Sequence, residues 1–248
     1  GTISMSEDQK TGKVAPTEIN PIGVGGNIFS YIANIYVEDL YHLASPQITE
    51  HEMLGIKNRI EVAVKEGYDG VVVAIDDESR DKGVLVVMND EVHTATYVTK
   101  THTTNVATFQ TPTFGPIGLV SKNNVIYFQK LIKEEHYEVN TTEKKVYLLK
   151  AYAGMDEELI NAVVELGADG LVIEALGAGN LPPRTVPAIR NCIGKNIPVV
   201  FVSRAFNGVT QDVYDYEGGG KRFQQDGVIF TTGLSGQKAR IKLMILLE

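Results

Sequence analysis

Thr2, in the opening run GTISM, is a hydroxyl placed directly after a glycine and ahead of a polar stretch, Ser6 to Lys13. A threonine in that setting can serve as a nucleophile on a turn beneath a lid, although a terminal Gly-Thr is also an ordinary loop. Val98 to Phe109, VTKTHTTNVATF, sets five threonines around one amine, Lys100. The plainer reading of the same run is a Thr-rich edge strand with a solvated lysine. Gly177 to Asn180 directly follow the apolar run LVIEA, Leu171 to Ala175. Ligands of parallel α/β sheets gather at the carboxyl ends of strands, while a plain strand-to-helix turn would look the same. Gly23 to Gly26, GVGG, resemble a phosphate loop, but no strand precedes them. Gly218 to Gly220 read as a flexible surface turn.

The totals exclude several kinds of chemistry. The chain of 248 residues carries a net charge of −8, which argues against nucleic acid or an anionic membrane as a partner. No apolar run approaches the ~20 residues of a membrane span. A single cysteine, Cys192, excludes an internal disulfide and a multi-thiolate zinc site. His42, His51, His93, His102 and His136 show no metal-binding spacing and read as surface or loop residues. The first residue is Gly1 rather than Met, which leaves a preceding signal peptide open.

These side chains need a scaffold, and the C-terminal half spells one out. Strands are expected at Val146 to Ala151, Leu171 to Ala175, Pro198 to Ser203 and Gly227 to Thr231. Between the first two, Asp156 can cap a helix with Leu159, Ile160, Val163 and Leu166 at helical spacing, ended by Gly167. Pro187 opens a short helix, Ala188 to Ile193, closed by Gly194. A last helix, Gln237 to Leu247, carries Ile241, Met244 and Ile245 on one face. Nearly continuous apolar strands alternating with helices imply a parallel sheet covered on both sides. The N-terminal half has the same grammar. A strand at Ile35 to Leu40 precedes a helix over Thr49 to Glu66, which opens with a T-x-x-E capping box at Thr49 and Glu52. Gly67 closes it before a strand beginning at Val71 to Val73. Lys130 to Lys145 is polar and charged, which places a linker there between domains at 1–129 and 146–248.

One stretch strains this reading. Val71 to Val73 and Val84 to Met88 both look like buried strands, with only ten residues, Ala74 to Gly83, between them. A parallel pair needs a crossover of about a dozen residues, and a whole βαβ unit takes ~30. Either the second strand is antiparallel, after a short helical hairpin, or further chain belongs between Val73 and Ala74. The crossover rule favours the second.

Taken in order, GTISM, GVLVVMND, VTKTHTTNVATF, ADGLVIEALGAGNLPP, VSRAFNG and GLSGQKARIKLM resemble the bacterial L-asparaginases along almost the whole chain. IEALGAGNLPP and SRAFNG look most like the type I, cytosolic branch. The resemblance implies a two-domain α/β fold, a larger N-terminal domain and a smaller flavodoxin-like C-terminal one, with parallel sheets covered by helices on both faces. It implies hydrolysis of L-asparagine to aspartate and ammonia, L-glutamine being a further substrate of some members, with no cofactor or metal and in the cytoplasm. Thr2 matches the last threonine of the family's T-G-G-T motif, the nucleophile. Lys100 matches the lysine that assists proton transfer, and Ser45, in LASPQ, a serine that holds the substrate's α-carboxylate. Asn180 matches a residue that reaches a neighbouring subunit's site, which implies a homodimer or homotetramer.

The chain departs from that pattern in places. The G-T-D-T motif, which supplies a threonine and an aspartate to the second catalytic group, is absent, and its expected position is the Val73–Ala74 junction. The chain begins inside the first motif. The lid carries no tyrosine, and Tyr214 stands where type II members have a glutamate, which weighs against high glutaminase activity. Two other readings stay open: a non-catalytic relative that binds an amino acid or a partner protein, and the amidase subunit of a tRNA-dependent amidotransferase, which is expected to carry an extra N-terminal domain.

Overall fold

The computed structural model describes residues 5–7, 14–16, 49–65, 79, 82–105, 107–121, 124–132 and 135–248. Thr2, Ser45, His42, Gly23 to Gly26, the expected strands at Ile35 to Leu40 and Val71 to Val73, and the Val73–Ala74 junction lie outside the described residues. The chain divides into two compact units, 1–73 and 74–248.

In the first unit, β1 (Met5–Glu7) and β2 (Val14–Pro16) pair antiparallel, Met5 opposite Pro16. Helix α1 (Glu50–Lys65) begins as its capping box demands. The Thr49 backbone N–H donates to the Glu52 carboxylate at 2.8 Å, and the Thr49 hydroxyl donates to the same oxygen. Those two donors, the hydroxyl foremost, hold the Glu52 carboxyl below its usual range.

The second unit starts with an antiparallel sheet in the order β3-β4-β7-β8. Its strands are β3 (Leu85–Met88), β4 (Glu91–Thr94), β7 (Gly118–Ser121) and β8 (Asn124–Tyr127). Asn89 and Asp90, with φ of 53° and 61°, form the two-residue turn between β3 and β4. A turn with both central residues at positive φ matches the twist of a hairpin and forces the antiparallel arrangement. The run at Val84 to Met88 is therefore one arm of a hairpin and not the fully buried strand expected from its apolarity. It pairs antiparallel with β4, at the end of the strand order among the described residues, and Val87 and Val84 are 43% and 75% exposed. A separate hairpin, β5 (Thr99–Lys100) with β6 (Phe109–Gln110), sets Lys100 opposite Phe109.

The C-terminal part is a four-stranded parallel sheet in chain order: β9 (Val146–Lys150), β10 (Gly170–Ala175), β11 (Val199–Ser203) and β12 (Ile229–Phe230). Three helices connect them, α2 (Glu158–Glu165), α3 (Val186–Gly194) and α4 (Gly220–Asp226). Every connection steps the same way across the sheet, so right-handed crossovers put all three on one face. Leu171, Ile173, Ala175, Val199 and Phe201 meet Ile160, Val163, Ile189, Cys192 and Phe223 there. The alternate residues Val172, Val200 and Val202 point to the other face. They pack on Ala239, Leu243 and Met244 of α5 (Gly236–Leu246). The sheet is thus covered on both faces, as the apolar strands predict.

Details differ from the sequence reading. Ile160 and Val163 of α2 are buried, but Leu159 and Leu166 are 47% and 59% exposed. The buried side of α5 is Gly236, Ala239, Leu243 and Met244, while Ile241 and Ile245 are only half-buried. Gly218 to Gly220 are buried, not a flexible surface turn. A Cβ on Gly219 would stand 2.3 Å from the Tyr214 carbonyl oxygen, and one on Gly218 2.3 Å from that of Leu181. His93 is buried in β4 at 1% exposure, against the expectation of a surface or loop position. The segment 135–145 has no helix or strand, yet it is tied to α5 and beyond: Thr141 bonds the Glu248 carboxylate, and Lys242 pairs with Glu135.

Candidate active site

The threonine-rich run around Lys100 folds as a self-bonded hairpin. Thr101 donates through both its backbone N–H (2.7 Å) and its hydroxyl (3.0 Å) to the Thr108 carbonyl. The Thr108 hydroxyl donates to the His102 carbonyl and accepts the His102 N–H at 3.0 Å. The Nδ1 of His102 accepts the N–H groups of Thr104 and Asn105. Two of the five threonines thus close the hairpin, and they leave Thr99 and Lys100 at the wall of a cleft of about 220 Å³.

The cleft opens where the rule of strand carboxyl ends predicts. Lys150 ends β9, Glu174 lies one residue from the end of β10, and Ser203 ends β11. Glu174 is 3.3 Å from Lys150 Nζ. A Cβ on Gly236, the first residue of α5, would stand 2.6 Å from Glu174 Oε1. The glycine therefore lets this carboxylate lie against the N-terminus of α5, where the helix dipole favours negative charge. Ser203 donates to the Gly177 carbonyl at 2.7 Å and accepts the Ala205 N–H at 3.0 Å, which sets the loop after β11. Arg204 Nη1 donates to the Ala151 carbonyl at 2.8 Å. From the other side, Thr113 accepts the Gly208 N–H at 3.2 Å, and Tyr97 packs on Phe114 with centroids 4.6 Å apart.

Among the described residues of this lining, Lys100, Lys150 and Arg204 outnumber Glu174. A concave site with excess positive charge and several hydroxyls suits a small anionic or zwitterionic ligand. Among the described residues, no group of three or more His, Cys, Asp or Glu could hold a metal ion, and no helix is long and apolar enough to cross a membrane.

Of the four residues singled out from the sequence, Lys100 lines the cleft, whereas Thr2 and Ser45 lie outside the described residues. Asn180 is not on the cleft wall. Its Oδ1 accepts the Gly220 N–H at 3.1 Å and its Nδ2 donates to the Leu176 carbonyl, so within its own chain it locks the Gly177 turn to α4. Sequence reasoning misses Lys150, Glu174, Ser203 and Arg204, although each lies at or next to a strand's carboxyl end. The same rule that draws attention to Gly177 applies a few residues earlier. Tyr97 and Thr111 carry no such sequence signal, since their place in the cleft comes from how the β5–β6 hairpin packs.

The sequence matches the family described as asparaginase, N-terminal, in two stretches, residues 1–75 and 73–133, and the glutaminase/asparaginase C-terminal domain over 145–248. It is similar to the L-asparaginase of Bacillus licheniformis, at 30% identity over 177 residues, 71% of this chain and 55% of that protein. It is also similar to a glutamyl-tRNA(Gln) amidotransferase component from Methanobrevibacter smithii, at 26% identity over 305 residues, 98% of this chain and 69% of that one. The chain spans about half the length of the asparaginase it matches. In fold it is similar to a probable cytoplasmic L-asparaginase from Campylobacter jejuni, with a TM-score of 0.86 at 23% identity, covering 100% of this chain and 92% of that one. With both its N-terminal and its C-terminal stretches matched, the chain belongs to the glutaminase/asparaginase family.

Proposed function

We propose that the protein hydrolyses L-asparagine to L-aspartate and ammonia through an acyl-enzyme on Thr2, with Lys100 managing the proton. The observation that carries this reading is the place of Lys100, on a cation-rich cleft at the carboxyl ends of a parallel sheet, in a chain of this family. The Thr2 hydroxyl attacks the side-chain amide carbon, its proton passes by way of the Lys100 amine to the leaving nitrogen, and ammonia departs. Water then cleaves the ester and restores Thr2. A positioned base contributes about 10²–10⁴-fold, and fixed N–H donors at the oxyanion roughly 2.7–4 kcal/mol each. Ser45 holds the α-carboxylate, and Asn180 acts across a subunit contact of a homodimer or homotetramer in the cytoplasm. The chain is organised as an N-terminal domain at 1–129, a linker at 130–145 and a C-terminal domain at 146–248, a division supported by the family matches ending at 133 and resuming at 145.

The test is ammonia release by Lys100→Met and Thr2→Ala, each expected to lose at least 10²-fold in kcat while L-aspartate still binds. Undiminished turnover by the folded Lys100→Met variant would sink the assignment.

A second reading, a non-catalytic amino-acid-binding relative, draws on one observation. The N-terminal family match is broken at residues 73–75, and the alignment to the amidotransferase component runs to 305 residues against a chain of 248. Both are what a relative with further internal chain at the expected position of the absent G-T-D-T motif would give. Calorimetry showing aspartate binding with no asparagine turnover would favour it.

A further inference from the structure

One buried imidazole behind the cleft has no part in the chemistry above. His93 is 1% exposed, and its Nδ1 lies 3.0 Å from the hydroxyl oxygen of Thr111. Thr111 is itself buried at 6% exposure and lines the cleft. It is two residues beyond Phe109, the β-ladder partner of Lys100. Continued alternation past β6 puts the Thr111 and Lys100 side chains on the same face.

The other ring nitrogen decides which way this bond runs. Nε2 is 3.3 Å from Glu91 Oε2, off the line of a hydrogen bond, and it has no hydrogen-bond partner among the described residues. A bare nitrogen lone pair held there would repel the carboxylate, whereas an N–H is attracted to it. With one proton on the ring, the carboxylate favours it on Nε2, and Nδ1 is then an acceptor. Thr111 must then be the donor in the Thr111–His93 bond. A hydroxyl has one proton and two acceptor lone pairs, so with that proton committed to the ring only lone pairs remain for the cleft.

We propose that His93 is a positioning residue for the cleft: by taking the Thr111 proton it turns Thr111 into a fixed acceptor on the wall shared with Lys100, so the ligand group that meets Thr111 is an N–H donor. The identity of that ligand as an amino acid rests on the function proposed above; the Thr111–His93 bond and the nearness of Glu91 to the far side of the ring do not.

Long-range ¹H–¹⁵N spectra of ¹⁵N-histidine-labelled protein test this arrangement directly. The His93 signals, assigned by their loss in His93→Asn, are expected to show protonated Nε2 and bare Nδ1. A ring protonated at Nδ1 overturns the proposal whether or not the protein is an enzyme. The second arm is kinetic, with L-asparagine as substrate. Loss of one neutral hydrogen bond corresponds to up to about a tenfold effect. Thr111→Val and His93→Leu are each expected to lower kcat/KM by about that factor, mainly through KM, and the double variant to fall no further. Thr111→Ser and His93→Asn, whose Oδ1 can accept the hydroxyl proton, should keep most of it. A folded His93→Leu protein with unchanged kcat/KM, or additive losses in the double variant, would overturn the positioning role. If the wild type releases no ammonia, the same ranking is read from calorimetric binding of L-aspartate, with succinate, which lacks the N–H donor, expected to bind all variants alike.

Discussion

Lys238 is an uncomfortable residue whose setting has a measurable consequence. It sits in the first turn of α5, where a positive charge opposes the helix dipole, and its ammonium donates to the Ala95 carbonyl. Burial pushes its amine down to about 8. In the unfolded chain the group returns to about 10.4. Between those two values the unfolded state binds more protons than the folded one, so stability rises with pH. Below about 8 both states are charged and the folded state bears the full desolvation cost. The relief between pH 8 and 10.4 is on the order of 1 kcal/mol once the partial exposure of the side chain is allowed for. Other groups titrate in the same range, so the informative quantity is the difference between wild type and Lys238→Met. Urea midpoints at pH 7.5 and 9.5 should show wild type gaining on the variant as pH rises. Parallel pH profiles would remove the buried-amine account. Ala95 precedes Tyr97 and the Lys100 strand, so the contact also ties α5 to the elements of the cleft wall.

Among the elements, the glycine triplet before α4 shows why a backbone can be more constrained than its side chains suggest. Gly218 to Gly220 pass so close to the carbonyls of Leu181, Tyr214 and Gln211 that no Cβ fits at any of the three. Gly219→Ala is expected to cost about 1–3 kcal/mol through overpacking, and roughly 2–4 °C in Tm for each kcal/mol. Gly194→Ala is the control. That glycine lies in α3 with nothing within 4 Å of its missing Cβ, so the variant should hold or raise Tm. Equal Tm values for the two variants would contradict the close-contact account. From the sequence alone the triplet looks like a flexible turn, because glycine reports freedom locally and close approach only through partners far along the chain. Leu85 to Met88 mislead for a related reason. An apolar β-branched run has the same appearance in a buried parallel strand and in a half-exposed hairpin arm, and the Asn89-Asp90 turn is the better guide. His93 hides its burial in the same way, since its partner Thr111 is 18 residues away. What is legible is periodic or local: the β9 to β12 strands, the capping box of α1, the Pro187 start of α3, and the position of Lys100 in a motif. The cleft's outer wall depends on packing between a hairpin and strand ends, which no local pattern encodes.

At the scale of the whole molecule, the C-terminal sheet has what it needs to fold without the rest. Among the described residues, both of its apolar layers, one under α2 to α4 and one under α5, are built from residues 146–247. The Thr141 backbone N–H and hydroxyl clasp the carboxylate of Glu248, which joins the two ends of this segment. A fragment of residues 141–248 falls within the usual size of an independent domain. It forfeits the Lys238–Ala95, Lys242–Glu135 and Gly208–Thr113 bonds and the packing of Phe114 against Gly233, none of which lies in either layer. The expected outcome is a cooperative thermal transition followed by circular dichroism, with helix and strand content retained and a midpoint below that of the full chain. The sheet's strands follow chain order, so its strand pairs grow outward from β9. A fragment that melts gradually, or binds a dye for exposed apolar surface in the manner of a molten state, would show instead that the β5–β6 hairpin and its neighbours are part of the folding unit.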